Sequence, residues 1–336
     1  MRAIGYTEAG PASVLADIEL PEPVAVGRDL LVGVHAVSVN PVDTKVRVRG
    51  GAAPGEQYKV LGWDVAGTVL AVGADVTRFA PDDEVFYAGT LNRPGGNSEL
   101  HLVDERIVAH KPASLDFAGA AALPLTSITA WELLFDRLGV PRDGGQGRTL
   151  LVVGAAGGVG SILVQLAARL TGLRVVGTAS RPQTAEWVRA LGADAVVDHG
   201  RPLAAQLADL GIDAVEYIAS LTHTDDHFPD LVKVLAPQGR IGLIDDPAEL
   251  DARLLKQKAA SLHWEYMFAR PMFDTPDVAE QGRILAEVAR LADAGVLRTT
   301  MDAVHGEICA ANLRRAHEFI ESGRARGKVV LAGWPN

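Results

Sequence analysis

The sequence predicts an α/β protein organised around a doubly wound parallel sheet. Between residues 149 and 181, an apolar run at Leu150–Val153 leads into a small-residue turn, an amphipathic helical pattern and a β-branched run at Arg174–Thr178. This order is typical of one βαβ unit. Three further alternations of helical pattern and short apolar run follow Arg181. Short buried strands that alternate with helices form parallel sheets, so these steps extend the same sheet.

Length and composition narrow the class of protein. The chain has 336 residues, of which 48% are hydrophobic and 22% charged, which is typical of two globular domains. The net charge of −10 disfavours nucleic acid as a partner and offers no basic patch for a membrane. A single cysteine, Cys309, excludes an internal disulfide and fits a reducing compartment. Because the first residues carry no apolar signal segment, we expect a cytoplasmic protein.

Residues 1 to about 120 read as a compact, barrel-like β domain. Asp29–Asn40 is a long strand pattern whose even-numbered positions are mostly apolar, and Val60–Gly73 is a second strand pattern. Asn40–Asp43 is predicted to be a turn, because Pro41 cannot donate to a sheet ladder.

The remaining segments place the carboxyl ends of the parallel strands. The pattern turns helical near Asp116, and strong amphipathic helices are predicted over Val278–Ala294 and Asn312–Glu321. Ligands of doubly wound sheets bind outside the carboxyl ends of the strands. Those ends are predicted at Gly154, Ser180, Asp198–His199, Ser220–Leu221 and Asp245–Asp246.

The turn at Gly154–Gly160 predicts a dinucleotide site. A diphosphate rests on a helix N-terminus only where backbone N–H groups can approach it, which favours residues without a Cβ. Gly157 and Gly160 occupy the second and third positions of the G-x-G-x-x-G spacing, and Ala155 occupies the first. The predicted contacts are Ala155, Gly157, Gly158, Val159 and Gly160. The alternative is a glycine loop that only permits close packing of helix on sheet.

The end of the second strand indicates the coenzyme. An NAD site carries an acid about 20 residues past the loop, whereas an NADP site offers Arg. Ser180 and Arg181 stand there with no acid beside them, and Arg181 can pair with a 2′-phosphate. We therefore expect NADPH. Alternatively, Ser180 caps the next helix and Arg181 is only solvated.

These residues, in this order, resemble the medium-chain dehydrogenase/reductase superfamily, and most of all its zinc-independent quinone oxidoreductase branch. The matching segments are Val39–Asp43, Leu61–Gly67, Leu123–Leu134 and Gly154–Gly160. The resemblance implies a Rossmann doubly wound sheet inserted in a GroES-like β domain. It divides the chain into residues 1–122 and 263–336, which form the GroES-like domain, and residues 123–262, which form the Rossmann domain.

The resemblance also implies where the reaction takes place. Its candidate catalytic residues are Asn40, Asp43, Asp64 and Thr129. Asn40 and Thr129 would lie near the nicotinamide, although Asn40 equally suits a turn former before proline. Asp64 would lie behind the cleft, where a buried carboxylate needs a partner, and Lys45 or Arg47 is expected to supply it.

Three strand-end residues complete the expected coenzyme site. Ser220, Leu221 and Asp245 are expected to flank the nicotinamide, chiefly through their backbone groups.

No zinc site is expected. Catalytic zinc takes about three Cys, His or acidic ligands and structural zinc commonly four cysteines, but Cys309 is the only cysteine. His223 and His227 have a spacing that can bind a metal on a helix. An N-cap at Asp225 or Asp226 of a following helix is favoured over that reading.

The combined expectation is an NADPH-dependent reductase that transfers hydride to quinones or related electrophilic carbonyls. The alternatives are an enone or 2-enal reductase and a non-catalytic NADPH-binding redox sensor. A homodimer is implied by the resemblance, and Ser261–Phe268 is a candidate exposed sheet edge for pairing with the second subunit.

Overall fold

The chain forms two compact units in a computed structural model that describes residues 1–335. The first unit contains Met1–Ile128 together with the chain from Phe268 onward, and the second contains Thr129–Met267. Both boundaries fall a few residues beyond those expected at 122/123 and 262/263.

The elements alternate as the sequence patterns indicate. The first part of the chain contains β1 (Arg2–Tyr6), β2 (Ala16–Glu19), β3 (Asp29–Val39), α1 (Pro41–Arg49), β4 (Lys59–Val60), β5 (Val65–Val72), β6 (Glu84–Tyr87), β7 (Leu100–Asp104), β8 (Val108–His110), α2 (Phe117–Ala121) and α3 (Pro124–Trp131). A π-helical segment, Glu132–Arg137, continues from α3. The second unit then contains β9 (Thr149–Val153), α4 (Gly158–Leu170), β10 (Arg174–Thr178), α5 (Pro182–Leu191), β11 (Ala195–Val197), α6 (Leu203–Asp209), β12 (Val215–Ser220), α7 (Thr224–Val234), β13 (Leu235–Leu243) and β14 (Ser261–Trp264). The last part contains α8 (Ala269–Met272), α9 (Glu280–Asp293), β15 (Met301–Val304), α10 (Ala310–Glu321) and β16 (Lys328–Ala332). Short 3₁₀ turns lie at Ala12–Val14, Glu105–Ile107 and Ala252–Lys258.

The first unit is a β domain that both parts of the chain complete. Its larger sheet has seven strands, in the order β15-β16-β3-β5-β6-β8 with β7 also paired to β3. Along β3 the even-numbered Leu30, Val32, Val34 and Ala36 are buried, which confirms the predicted alternation. β16 pairs antiparallel with β3, Val329 opposite Val39. The C-terminal segment therefore closes a sheet begun by the N-terminal strands, and the expected insertion of one domain in another is confirmed.

The second unit is a six-stranded sheet in the order β11-β10-β9-β12-β13-β14. Every pairing in it is parallel. Leu151, Val176, Ile218 and Ile241, one from each of four adjacent strands, are fully buried in one core. The strand order reverses between β9 and β12, and a doubly wound sheet binds its ligand in the crevice outside the strand ends at that reversal. The predicted Rossmann fold is confirmed.

The predicted turn at Asn40–Asp43 is wrong, because a helix begins there. Pro41 occupies the first helical position of α1, where its missing N–H removes no helical hydrogen bond. Asp43, the third helical residue, accepts a hydrogen bond from the backbone N–H of Asn40, the residue before the helix, at 2.7 Å. The same proline that excludes a central strand is thus a helix starter when an acid follows at the third position.

One helical stretch, Phe117–Arg137, is long and apolar enough to cross a membrane by composition alone. Of its apolar window, 94% is buried inside the protein, as expected of a core helix.

Candidate functional site

The glycine loop of the second unit leaves a helix N-terminus open. The loop leaves β9 at Gly154, whose φ of +79° suits glycine and whose N–H donates to Thr178 Oγ1 at 3.1 Å. α4 begins at Gly158, with Gly157 at the N-cap position and Val159 half-buried. The first N–H groups of a helix have no intrahelical acceptor, and the helix dipole makes this end positive. The loop therefore presents backbone donors suited to an anion.

The glycines in this loop differ in what they pack against. A Cβ on Gly160 would lie 2.7 Å from Ala155 Cα and closer still to the Gly154 carbonyl oxygen, so packing alone requires glycine there. A Cβ on Gly157 would meet only the Gly154 oxygen at 3.5 Å, an ordinary contact, and Gly157 has a φ of −74°. Neither packing nor backbone conformation within the protein requires glycine at 157. Ala155 is fully buried, so its side chain faces the core.

The end of β10 carries an exposed serine and arginine. Ser180 and Arg181 are both exposed, and Arg181, not Ser180, holds the N-cap position of α5. The alternative that Ser180 caps this helix is therefore wrong. Thr184 donates its hydroxyl to the Arg181 carbonyl at 2.9 Å, which fixes the backbone of this turn and leaves the guanidinium on the surface.

The strand-end residues Ser220 and Asp245 use their side chains within the fold. Ser220 is fully buried and its hydroxyl shares a hydrogen bond with Thr224 Oγ1 at 2.8 Å. Asp245 accepts from the Thr224 N–H at 2.9 Å and from Thr224 Oγ1 at 2.6 Å. The Leu221 N–H donates to Val153 O at 3.2 Å. These residues tie the ends of β9, β12 and β13 together at the carboxyl edge.

The predicted N-cap at Asp225 or Asp226 is wrong. α7 begins at Thr224, one residue after His223, which takes a left-handed φ of 51°. The carboxylate that satisfies the first N–H of α7 comes from Asp245, beyond the next strand, a long-range contact that local spacing cannot reveal.

A buried polar cluster lies in the first unit around Lys328. Its ammonium donates to Asp64 Oδ2 at 2.9 Å, to the Val39 carbonyl oxygen at 3.1 Å and to Asn40 Oδ1. Asn40 Nδ2 also donates to Asp64 Oδ2, at 2.8 Å. All three side chains are at most 3% exposed. Both ends of the Asn40 amide and all three ammonium protons are thus engaged inside the unit.

The predicted partner of Asp64 is wrong: it is Lys328 and neither Lys45 nor Arg47. Arg47 contacts α10 instead: its guanidinium donates to His317 Nδ1 at 2.8 Å and pairs with Glu321. The only sequence signal for Lys328 is a charged residue opening an otherwise apolar closing strand. Nothing local connects it with Asp64, 264 positions away.

Burial dominates the ionisation of the two carboxyls in this cluster. Desolvation raises the pKa of Asp43 to about 7, although its bond from the Asn40 N–H and the Lys328 ammonium oppose the rise. Desolvation also raises the pKa of Asp64, against the Lys328 charge and the Leu125 N–H, which donates to Asp64 Oδ1 at 2.7 Å. The cluster therefore holds two carboxyls against one ammonium in a site closed to water.

A second buried polar cluster was missed from the sequence. Glu132, at the start of the π-helical segment, and Glu265, just after β14, are nearly inaccessible. Arg137 Nε donates to Glu265 Oε2 at 2.9 Å. Burial, followed by the Glu132 charge, raises the pKa of Glu265.

Thr129, a predicted catalytic residue, is the first residue of the second unit and is 5% exposed.

The residues present do not fit a catalytic zinc. By the resemblance, Asn40–Asp43 stands where the zinc enzymes place a ligating cysteine, and it offers no thiol. Asn40 and Asp64 are both already bonded to the Lys328 ammonium. A cation therefore already occupies the space between these donors. Cys309 lies at the N-cap of α10, and within residues 1–335 no three His, Cys, Asp or Glu side chains are grouped to hold a metal ion.

A doubly wound parallel sheet with an open glycine loop is the architecture of dinucleotide-binding domains, and in this chain it is inserted in a β unit closed by both chain ends. Family models agree: "Alcohol dehydrogenase GroES-like domain" matches residues 27–113 and "Zinc-binding dehydrogenase" matches residues 191–331. A zinc-type alcohol dehydrogenase-like protein of Staphylococcus aureus (strain Mu50) is 39% identical over 93% of each chain. The chain belongs to the medium-chain dehydrogenase/reductase superfamily, a family of oxidoreductases.

Solved structures agree on the fold over nearly the whole chain. A protein from Rhizobium etli CFN 42 described as a zinc-dependent alcohol dehydrogenase is 56% identical, with a TM-score of 0.96 and coverage of 100% of this chain and 99% of that one. The quinone oxidoreductase from Coxiella burnetii is 26% identical, with a TM-score of 0.81 over 99% of both chains. Mycobacterial Rv1454c, solved in complex with NADPH, is 28% identical, with a TM-score of 0.82 over 99% and 100%.

Proposed function

We propose that the protein is an NADPH-dependent, zinc-independent reductase that transfers hydride to quinones or related electrophilic carbonyls. The observation that carries this proposal is the unexplained glycine at 157. Gly160 satisfies the packing alternative, but Gly157 has room for a Cβ and an unstrained backbone. A glycine that the protein does not need for itself is expected where a ligand's diphosphate approaches the backbone of a helix N-terminus.

The coenzyme preference rests on Arg181. Its exposed position at the end of β10 is where a 2′-phosphate would lie in a dinucleotide bound to this loop. A guanidinium binds a phosphate through charge-assisted hydrogen bonds worth about 1.5–3 kcal/mol each. Mycobacterial Rv1454c, which was solved with NADPH, has the same fold, and this supports a nicotinamide coenzyme here.

The donors around Lys328 bear on the class of acceptor. Bound NADPH would supply the hydride. Removing a proton from an alcohol needs a Lewis acid or a base, and the donors around Lys328 do not fit zinc. A quinone is electron-poor and can take its proton from water, so this chain's task reduces to binding, orientation and exclusion of water. The likeness to a quinone oxidoreductase supports the same class of acceptor.

The test is NADPH oxidation with 1,4-naphthoquinone and with a simple enone, in parallel with NADH. We expect faster turnover with the quinone, and an Arg181→Ala variant whose NADPH affinity falls about tenfold to a hundredfold, the loss of one such hydrogen bond, while NADH is unaffected. Arg189→Ala, on the same helix α5, is the matched control and should bind NADPH normally. Faster enone turnover would favour the enone reductase, binding without turnover the sensor, and no binding would overturn the proposal.

We further propose a cytoplasmic homodimer that pairs through β14. This strand is an edge of the six-stranded sheet. Trp264, its last residue, and Tyr266, two residues further on, are about half exposed, at 53% and 48%. An unpaired edge with adjacent aromatic surface favours addition of a strand from a second copy.

A further inference from the structure

Three histidines gather at the carboxyl edge of the parallel sheet. His199 follows β11, and its Nδ1 lies 3.3 Å from the Thr178 hydroxyl at the end of β10. The same hydroxyl accepts the Gly154 N–H, so His199 is one hydrogen bond away from the glycine loop. The His199 and His227 rings are 6.0 Å apart, although His227 belongs to α7, which follows β12. His223 lies at the start of that helix.

This position places His199 beside the exposed end of β10. In the sheet order β11 neighbours β10, so the loop that carries His199 runs next to the turn at Ser180 and Arg181. If the diphosphate rests on α4, the adenosine ribose reaches the end of β10 and its 2′-phosphate lies between these two loops.

The neighbours of His199 oppose its protonation when no anion is present. Burial first, and then the like charges of His227 and His223, lower the pKa of His199, while Asp198 raises it. The Asp198 carboxylate also accepts the Gly200 N–H at 2.9 Å. A dianionic phosphate beside the ring would reverse the balance, because an opposite charge within about 4–6 Å favours the imidazolium.

We propose that His199 takes up a proton when NADPH binds, so that coenzyme affinity is coupled to pH through this histidine and its neighbours His227 and His223. This inference rests on the proposed function, since it assumes that a 2′-phosphate lies at the end of β10.

The sign of the coupling follows from linkage. Protonation of His199 is easier in the complex than in the free protein. At a pH between the His199 pKa of the free protein and that of the complex, the complex therefore binds more protons. NADPH affinity therefore rises as the pH falls through that window, at most tenfold per pH unit for one proton. AMP and NADH carry no 2′-phosphate and should show none of this effect.

Calorimetry in two buffers of different ionisation enthalpy measures the protons taken up on binding. The ligands are NADPH, adenosine 2′,5′-bisphosphate and AMP, between pH 6 and pH 8.5. The 2′-phosphate titrates near pH 6 itself, so wild type is compared with His199→Gln at pH 7 and above, where the free ligand is already mostly dianionic and contributes little. We expect wild type to take up about half a proton to one proton more than His199→Gln, with His305→Gln, on the first unit, like wild type.

Two further measurements keep the inference falsifiable if His199→Gln folds poorly. In wild type, ¹⁵N spectra of the histidine rings should show the His199 titration move to higher pH on adding the bisphosphate. His227→Gln should retain the uptake and move it to higher pH, since one opposing charge is gone. Equal proton uptake in wild type and His199→Gln, or an unmoved ring titration in the presence of bound bisphosphate, overturns the inference. Absence of NADPH binding in wild type instead overturns the proposed function.

Discussion

Alanine at Gly157 and at Gly160 should separate ligand binding from stability. At Gly157 the new methyl meets one oxygen at 3.5 Å and the φ of −74° suits alanine. Loss of glycine from the N-cap costs about 0.5–1 kcal/mol, and the stiffer unfolded chain returns about 0.4–1 kcal/mol. The free energy of unfolding should therefore stay within about 0.5 kcal/mol of wild type.

At Gly160 the same substitution meets backbone atoms. The methyl would lie 2.7 Å from Ala155 Cα and nearer still to the Gly154 oxygen, so the helix must move away from the strand. Overpacking of this kind costs about 1–3 kcal/mol.

For NADPH affinity, Gly157→Ala is expected to have a strong effect, although it leaves the stability nearly unchanged. In Gly157→Ala the methyl stands where the diphosphate approaches, and loss of one or two charge-assisted hydrogen bonds weakens NADPH binding at least about tenfold. Urea unfolding followed by circular dichroism gives the stabilities, and NADPH fluorescence titration gives the affinities. A Gly157→Ala variant that binds NADPH as wild type does would refute the reasoning, and so would a Gly160→Ala variant of unchanged stability.

Three further outcomes are expected. Lys328→Met leaves Asp64 buried without its cation and should lower the free energy of unfolding by about 3–5 kcal/mol. Most of that loss should be recovered in the double variant with Asp64→Asn, which removes the charge and keeps an acceptor for the Leu125 N–H; additive losses in the double variant would contradict the pairing. Burial, and then the Arg47 charge, lower the pKa of His317 from 6.5 to about 3, so wild type loses stability as the pH falls through this range. His317→Asn can still accept from Arg47 and should lose about 1.4 kcal/mol less per pH unit in urea unfolding. Parallel pH profiles of the two proteins would argue against this linkage. Trp264→Glu should convert the proposed dimer to monomer in sedimentation experiments, and an unchanged sedimentation coefficient would remove β14 from the interface.

The features that depend on local sequence patterns could be predicted from the sequence. The parallel strands, the glycine loop and the position of Arg181 at the end of β10 all follow from periodicity and spacing within about 30 residues, and the structure has each element within a few residues of its predicted bounds. The errors arise where two local rules compete or where a partner is distant. Pro41 is compatible with both a turn and a helix start, and the choice depends on Asp43. The partner of Asp64 comes from the far end of the chain, through the pairing of β16 with β3.

The Lys328 contacts also bear on which residues can determine substrate specificity. For Asn40 the sequence left a substrate contact and a structural role equally open. In the structure its carbonyl oxygen accepts from a buried ammonium and its amide nitrogen donates to a buried carboxylate. Turning this amide toward a substrate would break a hydrogen bond to a charged group, at a cost of about 1.5–3 kcal/mol, and leave that charge less satisfied. We therefore expect Asn40→Ala to lower the stability more than it changes the preference between quinone and enone. That preference must be determined by side chains other than this amide.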